Sequence, residues 1–595
     1  MKGGDVMSYV RIKTIVVSLI CLFGGNSHAE PLNYVTIFQD QPHQNPDSPF
    51  PYVNPQAPQG GTIVLGALGT YDTFYPFFLK GAPAQGEDLL YATLFKSDKN
   101  EEGTAYPYVA ESIEVLPHQV IFKIRTTATF QDGMPIRASD VVFSFKFLVK
   151  NKPSTQQYYQ AIKGVTAIDA QTVVFELKDN APKECALILS QIPVLSEKFF
   201  TTHDVEKKPL TLPVGSGPYA IANFKQGQFI IYEKVANWWG KDLPVNQGSY
   251  NFQSIRFDYF RDLAVFFEAF KKGEVDVFVE PMAKNWIKGY DFAAVKDGKI
   301  KKEELPVEGA LGYSFVYNLR NPLFQDLNVR KALALVFPFE EINATLFSKS
   351  YERITSIFPN SGAQTYGLPS PDELSILQTF DPQILPPGVL TDPIEQWSIQ
   401  VDSDREKKTK AMDLLAQSGW RLKNGIQTHP EKGPFTFTFL VSQPIHDKVL
   451  QRMKGALASI GVTMNIKLQE PSQYTQTMLS FGFDMTPGLL TASSSIPGNE
   501  LLAFLGSASA DVNGGRNWAG IKNPVVDTLI EKILAASSYN ELSTLCKVLD
   551  RVVIASYYCI PGWTATKMRL ASWDKFGRPE QPLKHGIDFM TWWAK

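Results

Sequence analysis

Segments with helical and strand periodicity alternate along this 595-residue chain with no fixed repeat, and that alternation limits its fold more than any other feature. Thr62 to Leu68 (TIVLGAL) reads as a strand after the turn Gly60-Gly61. Val120, Phe122 and Ile124 alternate with polar residues, as do Val173 and Phe175 more loosely, which predicts half-buried strands. Val462, Met464, Ile466 and Leu468 give a further alternating strand. Asp140 to Val149 reads as a helix with Asp140 near its cap. Asp262 to Lys272 predicts a helix with Val265, Phe266, Ala269 and Phe270 on one face, stopped by Gly273. Helices are also expected from Asp404 to Ser418 and from Val449 to Ile460, ending at Gly419 and Gly461. The expected class is α+β, with lobes on mixed sheets, because the strict βαβα rhythm of an eightfold barrel is absent. Pro359 to Pro393 holds seven prolines and little periodicity, and reads as a long loop or surface crossover.

The first residues read as an address. Arg11 and Lys13 precede the apolar run Ile15 to Phe23, and Ser27-His28-Ala29 offers a small-x-small cleavage pattern before Glu30. A bilayer span needs about 20 apolar residues, so this run is too short. Residues 1–29 are therefore expected to be a cleaved signal peptide and the product a soluble exported protein. Cys21 follows Ile20 rather than a small residue, which argues against lipid modification. Without residues 1–29 the chain carries 55 basic and 59 acidic residues, a net −4. Neither that balance nor the −2 of the full chain supports nucleic-acid binding. Cys185, Cys546 and Cys559 remain; three thiols cannot all pair, so disulfides are not the framework. Whether Cys546 and Cys559 pair is left open.

Catalytic signatures are missing. There is no HExxH, no phosphate loop ending in GK[ST], no GxGxxG and no GxSxG elbow. Gly215-Ser216-Gly217-Pro218-Tyr219 only superficially suggests an elbow, since the proline blocks a helix there beyond its first turn. The seven histidines are scattered, with no i, i+4 pair, so no helical metal pair and no cofactor is expected.

Several strings together carry a resemblance. Phe130 to Phe145 (FQDGMPIRASDVVFSF), Gly215 to Tyr219 (GSGPY) and Asn318 to Leu335 (NLRNPLFQDLNVRKALAL) resemble the markers of the oligopeptide-binding components of ABC importers, family 5 of the bacterial extracellular solute-binding proteins. Arg261 to Asp276, Lys284 to Phe292, Arg516 to Leu529, Trp573 to Glu580 and Trp592-Trp593 are similar to the Yej-type branch, tied to uptake of microcin C and of peptides, including murein peptides. The resemblance covers nearly all of 31–595. It implies a two-lobed periplasmic binding protein of the large, peptide-binding type II class. The first lobe would be 30–308 with an inserted subdomain near 76–200, the second 309–558, and 559–595 would return to the first. The chain would cross near 305–312 and again near 555–565. It implies a non-catalytic, monomeric protein that captures oligopeptides by lobe closure and delivers them to an inner-membrane ABC permease and its ATPase subunits. Many peptide binders of the wider family hold the ligand's amine with an aspartate in a D-Y-x-x-P context. The comparable region, Phe483 to Glu500, has no such aspartate, which favours a blocked, branched or nucleotide-bearing peptide.

Candidate ligand residues follow from chemistry. Arg516 can fork onto a carboxylate or phosphate, Asn517 can pair with a peptide group, and Trp518 offers a stacking face after the loop Asn513-Gly514-Gly515. Trp286 and Tyr290, Phe74 and Tyr75, and one face of the strand with Tyr313 and Phe315 are further aromatic candidates; Asp484 could hold a cationic group. Each has a structural alternative in core packing or in an ordinary ion pair. Two other functions stay open: the same fold binding an oligosaccharide, chelate or haem, and an exported glycan or peptide hydrolase using two carboxylates.

Overall fold

The computed structural model describes residues 31–38, 44–78, 81–101, 103–151, 159–179, 181–307, 312–394, 403–442, 447–488, 490, 496–581, 583–584 and 586–595. The expected signal peptide, 1–29, lies outside them. None of the helices among the described residues is long and apolar enough to cross a membrane.

Two bodies emerge from the strand pairings. In the first, Thr62–Leu68 pairs in parallel with Ser254–Phe260, which continues antiparallel to Phe229–Lys234 and Tyr219–Lys225. A second sheet joins Val277–Val279 and Ile300–Pro306 to the late strand Lys567–Trp573. The segment near 110–177 adds a four-stranded antiparallel sheet, Ala110–Leu116, Gln119–Ile124, Thr172–Leu177 and Ile162–Ala167 in spatial order. One core runs beneath these elements and takes in Leu570, Phe576 and Trp592 from the far end of the chain. In the second body a six-stranded mixed sheet sets Glu352–Arg353, Cys559–Thr564, Gly312–Tyr317, Met485–Gly488, Thr436–Val441 and Thr463–Leu468 side by side. It has separate cores on either side. Thus Cys559–Thr564 belongs to the second body, and the chain changes sheets at 565–566 rather than at 559.

The marker strings prove to be structural junctions. Gly133 takes a left-handed φ of 81°, and the turn it makes is closed by Phe130 N–H on Met134 O (2.8 Å) and by Met134 N–H on Asp132 Oδ1 (3.0 Å). Asp140 reaches back to Arg137 N–H (2.9 Å), satisfying an orphan donor at the start of the helix Ala138–Asn151, and also accepts Glu197 N–H (3.1 Å) at the start of Glu197–Thr202. Gln131 ties this turn to the GSGPY string through Gly215 N–H (3.2 Å) and Tyr219 O (2.7 Å). There the backbones touch: a β-carbon on Gly217 would stand 2.4 Å from Leu89 O, and one on Gly215 2.1 Å from Leu90 O. Ser216 accepts Ala92 N–H (2.9 Å), and its carbonyl takes the indole N–H of both Trp238 and Trp239 (3.0 Å each). Pro218 then leads into a strand, not a helix.

The helix after Asp262 spans Leu263–Lys272, with Asp262 Oδ1 accepting Val265 N–H (2.9 Å) and Gly273 at φ 77°. Its buried face differs from the expected one. Phe267, Ala269 and Phe270 face the core, Phe266 is half-buried and Val265 is exposed. Phe267 wins because Phe278 (5.2 Å) and Tyr290 (5.1 Å) offer it aromatic partners that the periodicity alone cannot reveal. The proline-rich stretch contains a helix, Pro371–Leu377, capped by Ser370 on Glu373 N–H (3.2 Å) with Pro371 in the first turn. Glu373 and Arg551 form a buried pair (3.0 Å). The thiols of Cys185, Cys546 and Cys559 are all free and buried.

Two outcomes follow. Gly217→Ala has no room against rigid backbone and should destabilise by at least ~1–3 kcal/mol in urea unfolding; unchanged stability would contradict the contact. Asp550, fully buried beneath Ser356 Oγ (2.7 Å), Ile357 N–H (2.8 Å) and Thr365 N–H (3.0 Å), is pushed by burial up to about 7. An acid whose folded pKa is raised contributes stability at low pH that is lost as pH rises from the ordinary carboxylate value to the folded one. The stability of Asp550→Asn should therefore fall less than that of the wild type between about pH 4 and 7. Equal slopes would remove Asp550 as the cause.

Candidate functional site: the cleft between the lobes

Strand direction locates the site. In the first lobe Thr62–Leu68 and Ser254–Phe260 end together at Leu68 and Phe260. Val277–Val279 runs alongside them, anchored by Val64 N–H on Asp276 Oδ2 (2.8 Å) and Asp276 N–H on Val64 O (2.9 Å). In the second lobe Thr436–Val441, Thr463–Leu468 and Met485–Gly488 are parallel, and Gly488 lies opposite Ser314 near the start of Gly312–Tyr317. Tyr313 in turn faces Trp563, at the end of Cys559–Thr564. The chain crosses between lobes from Pro306 to Gly312 and from Thr564 to Lys567, and Val307 N–H donates to Thr566 O (3.3 Å) where the crossings run side by side. Both lobes thus turn the carboxyl ends of their parallel strands toward the crossings, where α/β sheets bind ligands.

The first-lobe wall is apolar and open: Leu68, Val279 and Met282 are 54%, 42% and 47% exposed. Sequence reasoning missed these three; exposed apolar side chains at strand carboxyl ends are the signal that would have found them. On the second lobe, Tyr313 is half-buried and stacks on Trp563 (4.9 Å, 19°). Its phenol is held neutral by burial first and then by the nearby Tyr474. Trp518 is half-buried against Gly488; a β-carbon there would stand 2.9 Å from the indole, so the glycine makes room for the ring.

The other predicted site residues are placed differently. Asn517 is fully buried, its amide donating to Gly506 O and Ile521 O (3.0 Å each) and its carbonyl accepting Ile521 N–H (2.9 Å), so it locks its own loop. Arg516 is exposed, with its guanidinium 5.6 Å over Phe504. Asp484 is taken up by Asn321 Nδ2 (2.7 Å) and Thr438 N–H (2.8 Å). Phe315 is buried between Phe337 and Phe439. Phe74 meets Phe224 edge-on (4.9 Å), and Tyr75 donates to Thr211 O (2.8 Å); both are core residues of the first lobe. Trp286 and Tyr290 lie in a small core with Phe267 and Phe278, under the ammonium of Lys302 (4.3 and 4.6 Å). Trp286 Nε1 donates to Glu304 (2.9 Å). Of the ten candidates, the structure therefore leaves Tyr313, Trp518 and Arg516 with surface to offer; the rest serve packing or local bonding.

Arg320 carries the second-lobe wall and was not singled out from sequence. It donates to Asn318 Oδ1 (2.8 Å), Trp518 O (3.2 Å), Asn517 O (3.0 Å) and Ala510 O, with Phe481 stacked under its guanidinium (3.8 Å). Asn318 donates in turn to Phe481 O (3.0 Å) and Phe483 O (2.7 Å). Partners some 190 residues apart leave no local pattern. Among the described residues no group of three or more His, Cys, Asp or Glu could hold a metal ion.

Residues 104–511 match the family model described as bacterial extracellular solute-binding proteins, family 5 middle. The chain belongs to that family. Among family relatives, a probable peptide-binding protein YejA of Agrobacterium fabrum is 36% identical over 568 residues, 92% of this chain and 91% of that one. A peptidoglycan-binding protein YepA of the same organism is 31% identical over 599 residues, 96% of each. The oligopeptide-binding protein AppA of Bacillus subtilis, solved with a nonapeptide, superposes with a TM-score of 0.65 at 20% identity, covering 91% of this chain and all of that one. The fold is thus that of the two-lobed peptide-binding proteins. Family and fold are those of solute binders rather than of enzymes.

The two loop residues separate cleanly in a stability test. Asn517→Ala strands buried backbone donors and acceptors and should cost ~2–4 kcal/mol in urea unfolding, whereas Arg516→Ala should stay within about 0.5 kcal/mol of wild type. Equal effects would mean the loop is not held as described.

Proposed function

We propose that this protein is a periplasmic binding component that closes its lobes over an extended oligopeptide and passes it unaltered to an ABC permease with its ATPase subunits. The lobes are 30–308 with an inserted subdomain near 76–200, and 309–564, with 565–595 returning to the first. The observation that carries this reading is the double crossing at the carboxyl ends of both sets of strands, flanked by an apolar wall on one side and by Tyr313 and Trp518 on the other. A peptide bound at micromolar to nanomolar Kd needs about −8 to −12 kcal/mol. Main-chain hydrogen bonds to an extended ligand supply affinity, leaving ring faces and apolar side chains to supply coarse selectivity. Each lobe has its own core, so closure moves two packed bodies about the crossings.

Murein-derived or microcin C-like peptides are the ligands we favour. The likeness to the peptidoglycan-binding protein YepA supports the former, and the absence of a D-Y-x-x-P aspartate between Phe483 and Glu500 fits a ligand without a free amine. Tyr313 and Trp518 would stack on the ligand and Arg516 would take a carboxylate or phosphate at the lip. The protein would act as a monomer after removal of residues 1–29.

The test is thermal and chemical unfolding with free, formylated and murein-derived peptides. A true ligand at 100 times its Kd should stabilise by about 2.7 kcal/mol. Trp518→Ala and Tyr313→Ala should each weaken that ligand at least ~10-fold with an unchanged circular dichroism spectrum. No stabilisation by any peptide, or turnover of murein fragments by the purified protein, would overturn the reading.

A further inference from the structure

The lobes meet a second time, away from the crossings. Strand Val35–Thr36 pairs with Thr104–Pro107 in the first lobe, and two residues later Phe38 enters the second-lobe core, 2% exposed and edge-on to Tyr539 (6.0 Å). Beside it Lys183 donates to Ala536 O (3.3 Å). Glu184, just before the helix Cys185–Ser190 of the first lobe, accepts the amide of Asn499 from the second. Glu500, at the start of Glu500–Leu505, folds back so that its Oε1 accepts Gly498 N–H (3.0 Å).

Two carboxylates from opposite lobes therefore face one buried glycine. A β-carbon on Gly498 would stand 3.1 Å from Glu184 Oε2 and 3.5 Å from Glu500 Oε2. Among the described residues no ion pair is recorded for either carboxylate. Lys183 is spent on Ala536 O and acts on Glu541, whose carboxylate is held by Ser537 N–H and Oγ (2.7 Å each). Among the described residues the further titratable neighbours are the thiols of Cys185, beside Glu184, and Cys546, beside Glu500 with Asp550 behind it. Burial pushes both thiols up, Cys185 to about 11, so they stay neutral.

We propose that Glu184 and Glu500 make lobe closure proton-linked: the closed protein keeps a proton between the two carboxylates that the open protein releases, so acidification favours closure. The inference rests on the two-lobed binding reading above. Like charges brought together out of water cannot both stay ionised at no cost. With the two acids adjoining as they do in this structure, Glu184 is raised by burial and then by the charge of Glu500, against the Asn499 bond that lowers it. Glu500 is raised by burial, opposed by backbone N–H groups. Parting the lobes removes each acid from the other and returns both to water. Closure thus takes up a proton. Its benefit is full below the open-state carboxylate value and is lost as pH rises through the closed-state value. Each pKa unit between the two states changes the closed-to-open ratio about tenfold.

Small-angle scattering of the full processed chain tests this, ligand-free from about pH 4.5 to 8, a range that spans an ordinary and a raised carboxylate. The probes for the ligand arm are penta-alanine and a murein tripeptide. The wild type should become more compact on acidification. Glu500→Gln and Glu184→Gln should each stay more compact than the wild type at high pH with a weakened pH response, and the double variant should lose the response. A wild type that is insensitive to pH yet compacts with peptide overturns the proton linkage and leaves the binding reading standing. So does a pH response that survives undiminished in the double variant. A wild type that compacts with neither peptide nor acid overturns both.

Discussion

The hydrogen bond from Val307 N–H to Thr566 O joins two chain crossings, and the behaviour of the whole molecule hangs on that narrow junction. On one side Ile300–Pro306 and Lys567–Trp573 are held by a full antiparallel ladder. On the other, Gly312–Tyr317 and Cys559–Thr564 are held by a second ladder in a different sheet. The ladders are rigid and each feeds its own core. Relative motion of the two bodies would therefore turn about the pairing of Val307 with Thr566 that links the ladders. Among the described residues Arg569 on Ser350 O (3.2 Å) and Tyr351 on Pro281 O (3.2 Å) flank it, both single bonds to backbone. Such contacts exchange with water at a net cost of about 1 kcal/mol each, small enough for a ligand to decide the outcome.

The three strings that mark the wider family hold the fold together. Asp140 caps two helices, Gln131 ties a turn to GSGPY, and the glycines of that string permit backbone to pass over backbone. Arg330, in the third string, is buried and spends its guanidinium on the carbonyls of Phe324, Gln325 and Ser556. These residues are constrained because each satisfies several buried polar groups at once, and loss of one leaves the others unpaired. Ligand-facing residues are under no such multiple constraint. A binder that reads main chain needs little more there than surface of the right polarity, which explains why the motifs announce the fold and are silent on the cargo.

Local signals were legible where the physics is local. Asp262 and Gly273 bracket their helix as the sequence indicates, as do Gly419 and Gly461 for theirs, because caps and left-handed turns are settled within a few residues. The alternation of Val120, Phe122 and Ile124 became a strand with those three side chains inward. What failed was the choice among faces and partners. Val265 and Phe267 are equally apolar, and only the positions of Phe278 and Tyr290 decide which is buried. Phe74, Tyr75 and Phe315 are aromatic, as ligand residues would be, yet core and cleft draw on the same rings. Asn517 and Arg320 lie in strings read for other reasons; their partners sit on loops that meet only in the folded second lobe. Ser370-Pro371 and Glu373 did spell a helix start, and the surrounding prolines hid it.

The second meeting of the lobes changes the energetics of the first. Burying Phe38 across the interface is worth roughly 2–3 kcal/mol, enough alone to bias a hinged pair toward closure without ligand. A two-lobed binder biased that far would gain little further closure from a ligand. Placing Glu184 and Glu500 beside that ring opposes it: the same closure that buries the phenyl group also strips water from two acids. Their desolvation and mutual repulsion scale with how tightly the interface shuts, so the apolar gain and the ionic cost rise together. Near balance of the two would leave a ligand's own binding energy to set the position of the equilibrium.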